Sequence, residues 1–238
     1  MTIALLTAAG IGSRMGQVVP KQFLNINDKP IIVYTMERFQ NNSQIDAICV
    51  VTLPSWVEFV KTYAQQFGIT KLRWVVSGGE TGQESIRNGL EEIAVDFPIQ
   101  TVIMIHDGNR PLVDNGIISD SLSVFKEHGS AVAVVPCTEV IFRSADNRGS
   151  MVEIPREELW RTQTPHTYTL GKLLWACEEA KNKSMGGMAA MCQLMCRLGE
   201  KTYYSHGSEK NIKLTTMDDM DIFKALLSVE KSEWAKNS

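Results

Sequence analysis

The chain has 238 residues, 44% hydrophobic and 21% charged, a balance that excludes a disordered chain and supplies enough apolar side chains for a sizeable core. With 24 Lys and Arg against 27 Asp and Glu the formal charge is -3, so no global positive field exists to hold a nucleic acid or an anionic membrane, and any anionic ligand must be met locally.

The first apolar run, residues 2–9, stops at Gly10 as a buried strand does when it opens into a loop. Helical spacing follows over 30–40, an apolar run over 47–53 ends at Pro54, a helical pattern covers 56–67, and a run over 72–76 stops before Gly78 and Gly79. This alternation predicts βαβ units on a parallel sheet. Residues 85–93 read as a helix, 101–105 as an apolar strand ending at His106 and Asp107, and 129–135 as a strand. Helices are predicted over 184–197 and 217–230, the latter capped by Thr215 or Thr216. Residues 139–143 and 151–154 break the alternation; two extended pieces about a polar turn predict a hairpin inserted late in the sheet. Such an arm is suited to contact a second copy of the chain. The expectation is one α/β domain over 1–238, a mostly parallel sheet flanked by helices, with an antiparallel β-arm at about 137–156. No apolar stretch approaches the ~20 residues that cross a bilayer. Five cysteines, an odd number at irregular spacing, and a start without the features of a secretory leader predict a cytoplasmic protein.

Gly10, Gly12 and Gly16 follow the first strand, with Arg14 among them and Lys21 just beyond. Glycines there let backbone N–H groups approach a phosphate chain, and the two cations add charge beside it. The spacing is neither that of a P-loop nor that of a dinucleotide fingerprint. The plainer reading is a tight turn with surface cations. Asp107 stands just past a strand's carboxyl end, where ligands bind in open α/β sheets. It can hold Mg²⁺, since a hard cation that keeps several waters needs only one or two carboxylates; a turn or cap Asp is the alternative. Arg156, Thr164 and Lys213 lie in further polar segments that say little singly. Cys192 and Cys196, at i, i+4 among Met188, Met191 and Met195, read as core filling, with no second Cys/His pair to complete a zinc site. Of the four histidines, only His106 is expected near the site, as a hydrogen-bonding support. Trp160 reads as an interface anchor or core residue.

Taken together, these segments resemble the methylerythritol phosphate and ribitol 5-phosphate cytidylyltransferases. The likeness rests on the Ala8–Gly16 loop with Pro20, Lys21 and Gln22, on Gly78, Gly79, Ser85 and Asn88, on His106, Asp107, Arg110 and Pro111, on Arg156 with Gln163, Thr164 and Pro165, and on Asn211 to Lys213. It implies a Rossmann-like nucleotidyltransferase domain and transfer of CMP from CTP to a small polyol phosphate. Methylerythritol 4-phosphate, ribitol 5-phosphate and glycerol phosphate are the acceptors it leaves open, serving isoprenoid precursors or a surface polymer. It further implies Arg14, Lys21 and Lys213 as catalytic cations and Asp107 as a Mg²⁺ ligand. Ala8, Ala9, Gly10, Gly12, Ser13, Gly16, Gly79, Ser85, Asp107 and Gly108 would bind the nucleotide, and Arg110, Arg156 and Thr164 the acceptor. A homodimer is implied, with the arm reaching into the neighbouring subunit. The chain departs from the family pattern at Gly82, Gly108, Val140, His166, Ala189 and Ala190, mostly on the acceptor side. Two rival readings are a sugar-1-phosphate transferase using UTP or dTTP, and a catalytically inactive nucleotide-binding relative.

Overall fold

The structure is a computed structural model and describes residues 1–10, 19–188 and 190–236. Seven strands form one sheet: β1 (Thr2–Ala8), β4 (Ala47–Thr52), β5 (Leu72–Ser77), β6 (Val102–Asp107), β7 (Ala131–Pro136), β10 (Trp160–Thr169) and β11 (Tyr204–His206), in the order β11-β7-β10-β6-β1-β4-β5. Two short pairs stand apart, β2 (Asn25–Ile26) with β3 (Lys29–Pro30), and β8 (Ile141–Arg143) with β9 (Val152–Ile154). β10 runs antiparallel to both neighbours and every other pairing in the large sheet is parallel.

Side chains alternate across a strand, and here the alternation sorts the core into two layers. Ile3 and Leu5 of β1, with Cys49 and Val51 of β4, pack under α3 (Gly82–Asp96), α5 (Leu170–Asn182) and α6 (Met191–Arg197). Ala4 and Leu6, with Ile48 and Val50, face α1 (Ile31–Gln40), α2 (Val57–Gln66) and α4 (Asn115–His128). A third cluster seats α7 (Met217–Lys236) through Met220, Phe223 and Leu227 on Ile31 and Leu214.

The predicted strands and the hairpin are present. Helix α3 begins earlier than the apolar pattern suggested, because Thr81 and Glu84 form a capping box: the Thr81 hydroxyl accepts from the Glu84 N–H at 3.1 Å, and the Glu84 carboxylate accepts from the Thr81 N–H at 3.3 Å. The helix expected over 184–197 is a correction. Among the described residues of that span only Met191–Arg197 is helical, and the segment before it carries Gly186 and Gly187, the latter at φ +75°, a conformation that ends a helix rather than continuing one. β10, α4, α5 and β11 are additional to the expected elements; α4 carries a helical pattern in Ile117, Ile118, Leu122 and Phe125 behind the Asp114 cap. β10 mixes Trp, Arg, Thr, Gln and Pro, and is a strand because β6 and β7 pair with it on both sides.

Candidate active site

β4 and β5 lie on one side of β1, and β6 lies on the other. The chain therefore reverses its direction of travel between β1 and β6, the place where open α/β sheets form a ligand crevice at the carboxyl ends of their strands. A cleft of about 730 Å³ lies there, lined from β1 by Thr7 and Ala8, from β6 by Ile105 and Asp107, and from β10 by Thr164 and His166. Lys21, Arg110 and Lys213 bring three cations to its wall. Ile86, Met188, Met191 and Leu194 make one flank apolar.

Period-two alternation places Asp107 on the same face as Ile105, toward α3 and α6, and sends His106 to the other face. His106 is fully buried there, 5.1 Å from the Phe39 ring, with Nε2 3.1 Å from the Arg110 carbonyl oxygen, the structural role expected of it. The Asp107 N–H donates to the Thr164 hydroxyl at 3.0 Å. One oxygen, Oδ2, accepts from Arg110 Nε at 2.9 Å, and the other, Oδ1, accepts from Lys213 Nζ at 2.9 Å. Burial alone would raise the Asp107 carboxyl, but the Lys213 ammonium and the Arg110 guanidinium outweigh it and hold the group far below the usual carboxylate range. Asp107 is therefore ionised at any working pH, with two cations fixed about it.

The Gly-Gly turn supplies the opposite wall. A Cβ on Gly78 would stand 2.5 Å from Ala9 Cβ, so only glycine lets this turn approach the end of β1 so closely. Gly79 and Ser85 both line the cleft, the Gly79 N–H donating to the Ser85 hydroxyl at 3.1 Å and that hydroxyl donating to the Thr81 carbonyl at 2.9 Å. Ala9 and Gly10 continue this wall. Gly82 lines it too, with open space where a Cβ would go. Ala190 borders the apolar flank and occupies the N-cap of α6 without a side-chain bond to the helix.

The remaining expected residues are placed as follows. Gly12, Ser13, Arg14 and Gly16 fall outside the described residues, as does Ala189. Gly108 does not line the cleft; it is buried beneath it, its N–H donating to the Thr7 carbonyl at 2.9 Å, with Ile32 Cδ1 2.7 Å from where a Cβ would stand. Arg156 does not line the cleft of its own chain; it is exposed on the arm and donates to the Thr138 carbonyl at 3.2 Å. Arg110 and Thr164 do reach the cleft, with Arg110 Nε donating to Asp107, Arg110 Nη1 to the Asn211 carbonyl, and the Thr164 hydroxyl accepting from the Asp107 N–H. Cys192 is buried in the core and its thiol is pushed up to about 11 by that burial, whereas Cys196 is exposed and fills no core. Among the described residues, no group of three His, Cys, Asp or Glu is placed to hold a metal. Trp160 is half-exposed beside Tyr204, ring centroids 5.4 Å apart.

Three participants stand in segments that carry or break the family pattern but had no site role in the sequence. His166 lines the cleft although only His106 was expected near it; burial lowers its pKa to about 4, so it is neutral. Gln22, 2% exposed, donates from Nε2 to the carbonyls of Ala8 at 2.6 Å and Gly10 at 3.1 Å, tying the Lys21 turn to the mouth of the glycine loop. Asn211 is wholly buried between β10 and the Lys213 segment. Gln22 and Asn211 adjoin the motif cations, but nothing in a linear pattern tells a buried amide from an exposed one.

The chain matches the family described as 2-C-methyl-D-erythritol 4-phosphate cytidylyltransferase over residues 2–229. It is 40% identical to a ribitol-5-phosphate cytidylyltransferase of Lacticaseibacillus paracasei, covering 95% of this chain and 98% of that one. It is also 33% identical to a 2-C-methyl-D-erythritol 4-phosphate cytidylyltransferase of Alkaliphilus oremlandii, covering 97% and 96%. The crystal structure of the 2-C-methyl-D-erythritol 4-phosphate cytidylyltransferase of Francisella tularensis superposes with a TM-score of 0.78 at 26% identity, covering 93% and 97%.

Proposed function

We infer the activity from a premise that the match over residues 2–229 supplies: this chain belongs to the 2-C-methyl-D-erythritol 4-phosphate cytidylyltransferase family. The enzyme transfers CMP from CTP to a polyol phosphate, releasing pyrophosphate. The acceptor we propose is ribitol 5-phosphate, because relatives bearing that name reach 40% and 37% identity while those named for methylerythritol phosphate stand at 33% and 34%.

The observation that carries the chemical reading is the convergence of Lys21, Arg110 and Lys213 on one cleft around an ionised Asp107. An oxygen of the acceptor's phosphate monoester attacks the α-phosphorus of CTP, a new P–O bond forms, and the bond to pyrophosphate breaks. The nucleophile is already anionic, so no base need remove a proton. The obstacle is repulsion between two anions, and fixed cations lower it where charge builds. Lys21 and Lys213 serve the triphosphate, together with Arg14. Ala8, Ala9, Gly10, Gly79 and Ser85 shape the nucleotide wall, aided by Gly12, Ser13 and Gly16. Asp107 suits Mg²⁺ in its donor chemistry: it is ionised, and each of its oxygens keeps a lone pair beyond those given to Arg110 and Lys213. When bound, Mg²⁺ supplies further neutralisation of the phosphates. Thr164 and Arg110 border the acceptor side.

The arm exposes Val140, Phe142, Met151 and Val152, and a two-stranded hairpin is marginal alone. We read it as the dimer contact, which carries Arg156 to the partner's acceptor site. All five cysteines are free, four of them buried, which supports a reducing, cytoplasmic setting.

The test is pyrophosphate release from CTP with Mg²⁺ and, separately, ribitol 5-phosphate, methylerythritol 4-phosphate and glycerol phosphate, with UTP as the nucleotide control. The highest kcat/KM should fall to CTP with ribitol 5-phosphate. Preference for another phosphate would overturn the acceptor, and release with none would overturn the activity.

A further inference from the structure

Lys213 lies in an irregular segment between β11 and α7, with no ladder to hold it. Two asparagines fix it: on one side of Lys213 the Leu214 N–H donates to the Asn109 carbonyl at 2.9 Å and the Leu214 carbonyl accepts from Asn109 Nδ2 at 2.6 Å, and on the other side stands Asn211. Residues 163–165 of β10 have no paired residue on β6 or β7, because the register breaks between Thr162 and His166. The fully buried Asn211 side chain takes the place of a ladder partner: Nδ2 donates to the Thr164 carbonyl at 2.9 Å and to Gln163 Oε1 at 3.2 Å. Gln163 in turn grips the head of the segment, accepting from the Ser208 N–H at 3.1 Å and donating to the Ser208 carbonyl at 2.8 Å. The Asn211 carbonyl accepts from Arg110 Nη1 at 2.6 Å, while Arg110 Nε holds Asp107. One residue thus ties together the strand that carries Thr164, the guanidinium that braces Asp107, and the segment that delivers the Lys213 ammonium to it.

Asn211 Oδ1 is buried and finds no hydrogen-bond partner among the described residues. An apolar side chain would spare that oxygen but would leave the Thr164 carbonyl, which no ladder partner reaches, unpaired. The two directed N–H bonds that answer this need also set the height of the segment against β10. We propose that Asn211 is a positioning residue, holding Lys213 and Arg110 in register about Asp107 for nucleotidyl transfer. The proposal rests on the catalytic reading of Lys213 given above.

Two measurements separate the one from the other. The first needs no turnover: the rate at which acetic anhydride labels Lys213 in the folded protein, followed by mass spectrometry, should rise several-fold in Asn211→Ala as the ammonium leaves Asp107. An unchanged rate overturns the positioning role whatever the activity. The second is steady-state turnover, corrected for the folded fraction. Asn211→Ala should lower kcat on the order of 100-fold, as displacement of a catalytic group by about 1 Å does, with a much smaller change in the KM for CTP. Lys213→Ala combined with Asn211→Ala should lose far less than the product of the two single losses, because both act on the contact of Lys213 with Asp107. Multiplying losses would overturn the proposal, as would a kcat in Asn211→Ala within twofold of the parent. If Lys213→Ala itself turns over normally, the catalytic reading of Lys213 fails and the labelling result still decides the placement. Asn211→Ser, which keeps one short donor, provides the same comparison should the alanine variant not fold.

Discussion

Replacing Gln22 by Glu tests the arrangement at the mouth of the cleft by charge rather than by size. The Gln22 amide is 2% exposed and gives both of its N–H bonds to backbone carbonyls, at 2.6 Å and 3.1 Å. Gln22→Met removes those donors. The Gly10 carbonyl is exposed and can turn to water, and Ala8 keeps a long bond of 3.4 Å from Thr52, so the loss should be about 1–2 kcal/mol and independent of pH. Glu places an oxygen against the same two carbonyls, which favours its neutral form and raises its pKa above the unfolded value of about 4.3. A group with a raised folded pKa loses stability as pH rises toward that value. The deficit relative to wild type should therefore grow from about pH 4.3 upward, by about 1.4 kcal/mol per pH unit, and then level off. A rise of about two units gives about 2.7 kcal/mol beyond the methionine loss. Urea unfolding of the parent and both variants at pH 5, 6, 7 and 8 reads this directly. A Glu deficit that is flat across that range, or equal to that of Met at pH 8, would refute the argument that Gln22 faces two carbonyls in a dry site.

Three further outcomes can be checked. Burial holds His106 and His166 near pKa 4. Both are neutral in the fold and take up protons below about pH 6.5 once unfolded, so stability should fall as pH drops from there toward 4, by up to about 3 kcal/mol for each group. His166→Gln should remove about half of that slope in urea titrations between pH 7.5 and 4.5, and an unchanged slope would show that His166 is not dry. Gly78→Ala pushes a methyl into Ala9 Cβ and, at 2.8 Å, Ser85 Oγ; CTP affinity measured by calorimetry should fall at least about tenfold with a loss of about 1–3 kcal/mol in stability, whereas Gly82→Ala, facing open space, should leave both near the parent. If the arm crosses to a partner, mixed dimers of Arg156→Ala and Lys21→Ala should regain activity that neither homodimer has. Absence of rescue would put both residues in one subunit's site.

Much of the architecture follows from local rules. Apolar runs such as 47–53 and 101–105 are short and bounded as buried strands are, the glycines at 78 and 79 end the run over 72–76, and the hairpin declares itself by its polar turn. Asp107 and Lys21 were legible because their residue types suit phosphate chemistry beyond the ends of the first and 101–105 strands, whereas Lys213 was marked only by the family resemblance. Other features follow no linear pattern. The β10 sequence becomes a strand only because β6 and β7 offer it hydrogen bonds on both sides. The tertiary structure alone decided that Thr164 and Arg110 bond Asp107, that Arg156 does not line its own chain's cleft, and that Gln22, Asn211 and His166 are buried against the site. Sequence determines which side chains alternate across a strand and where a helix is capped, since those interactions span a few residues. Contacts such as Lys213 with Asp107, 106 positions apart, depend on the order in which strands stack, and that order is set by packing of the whole sheet.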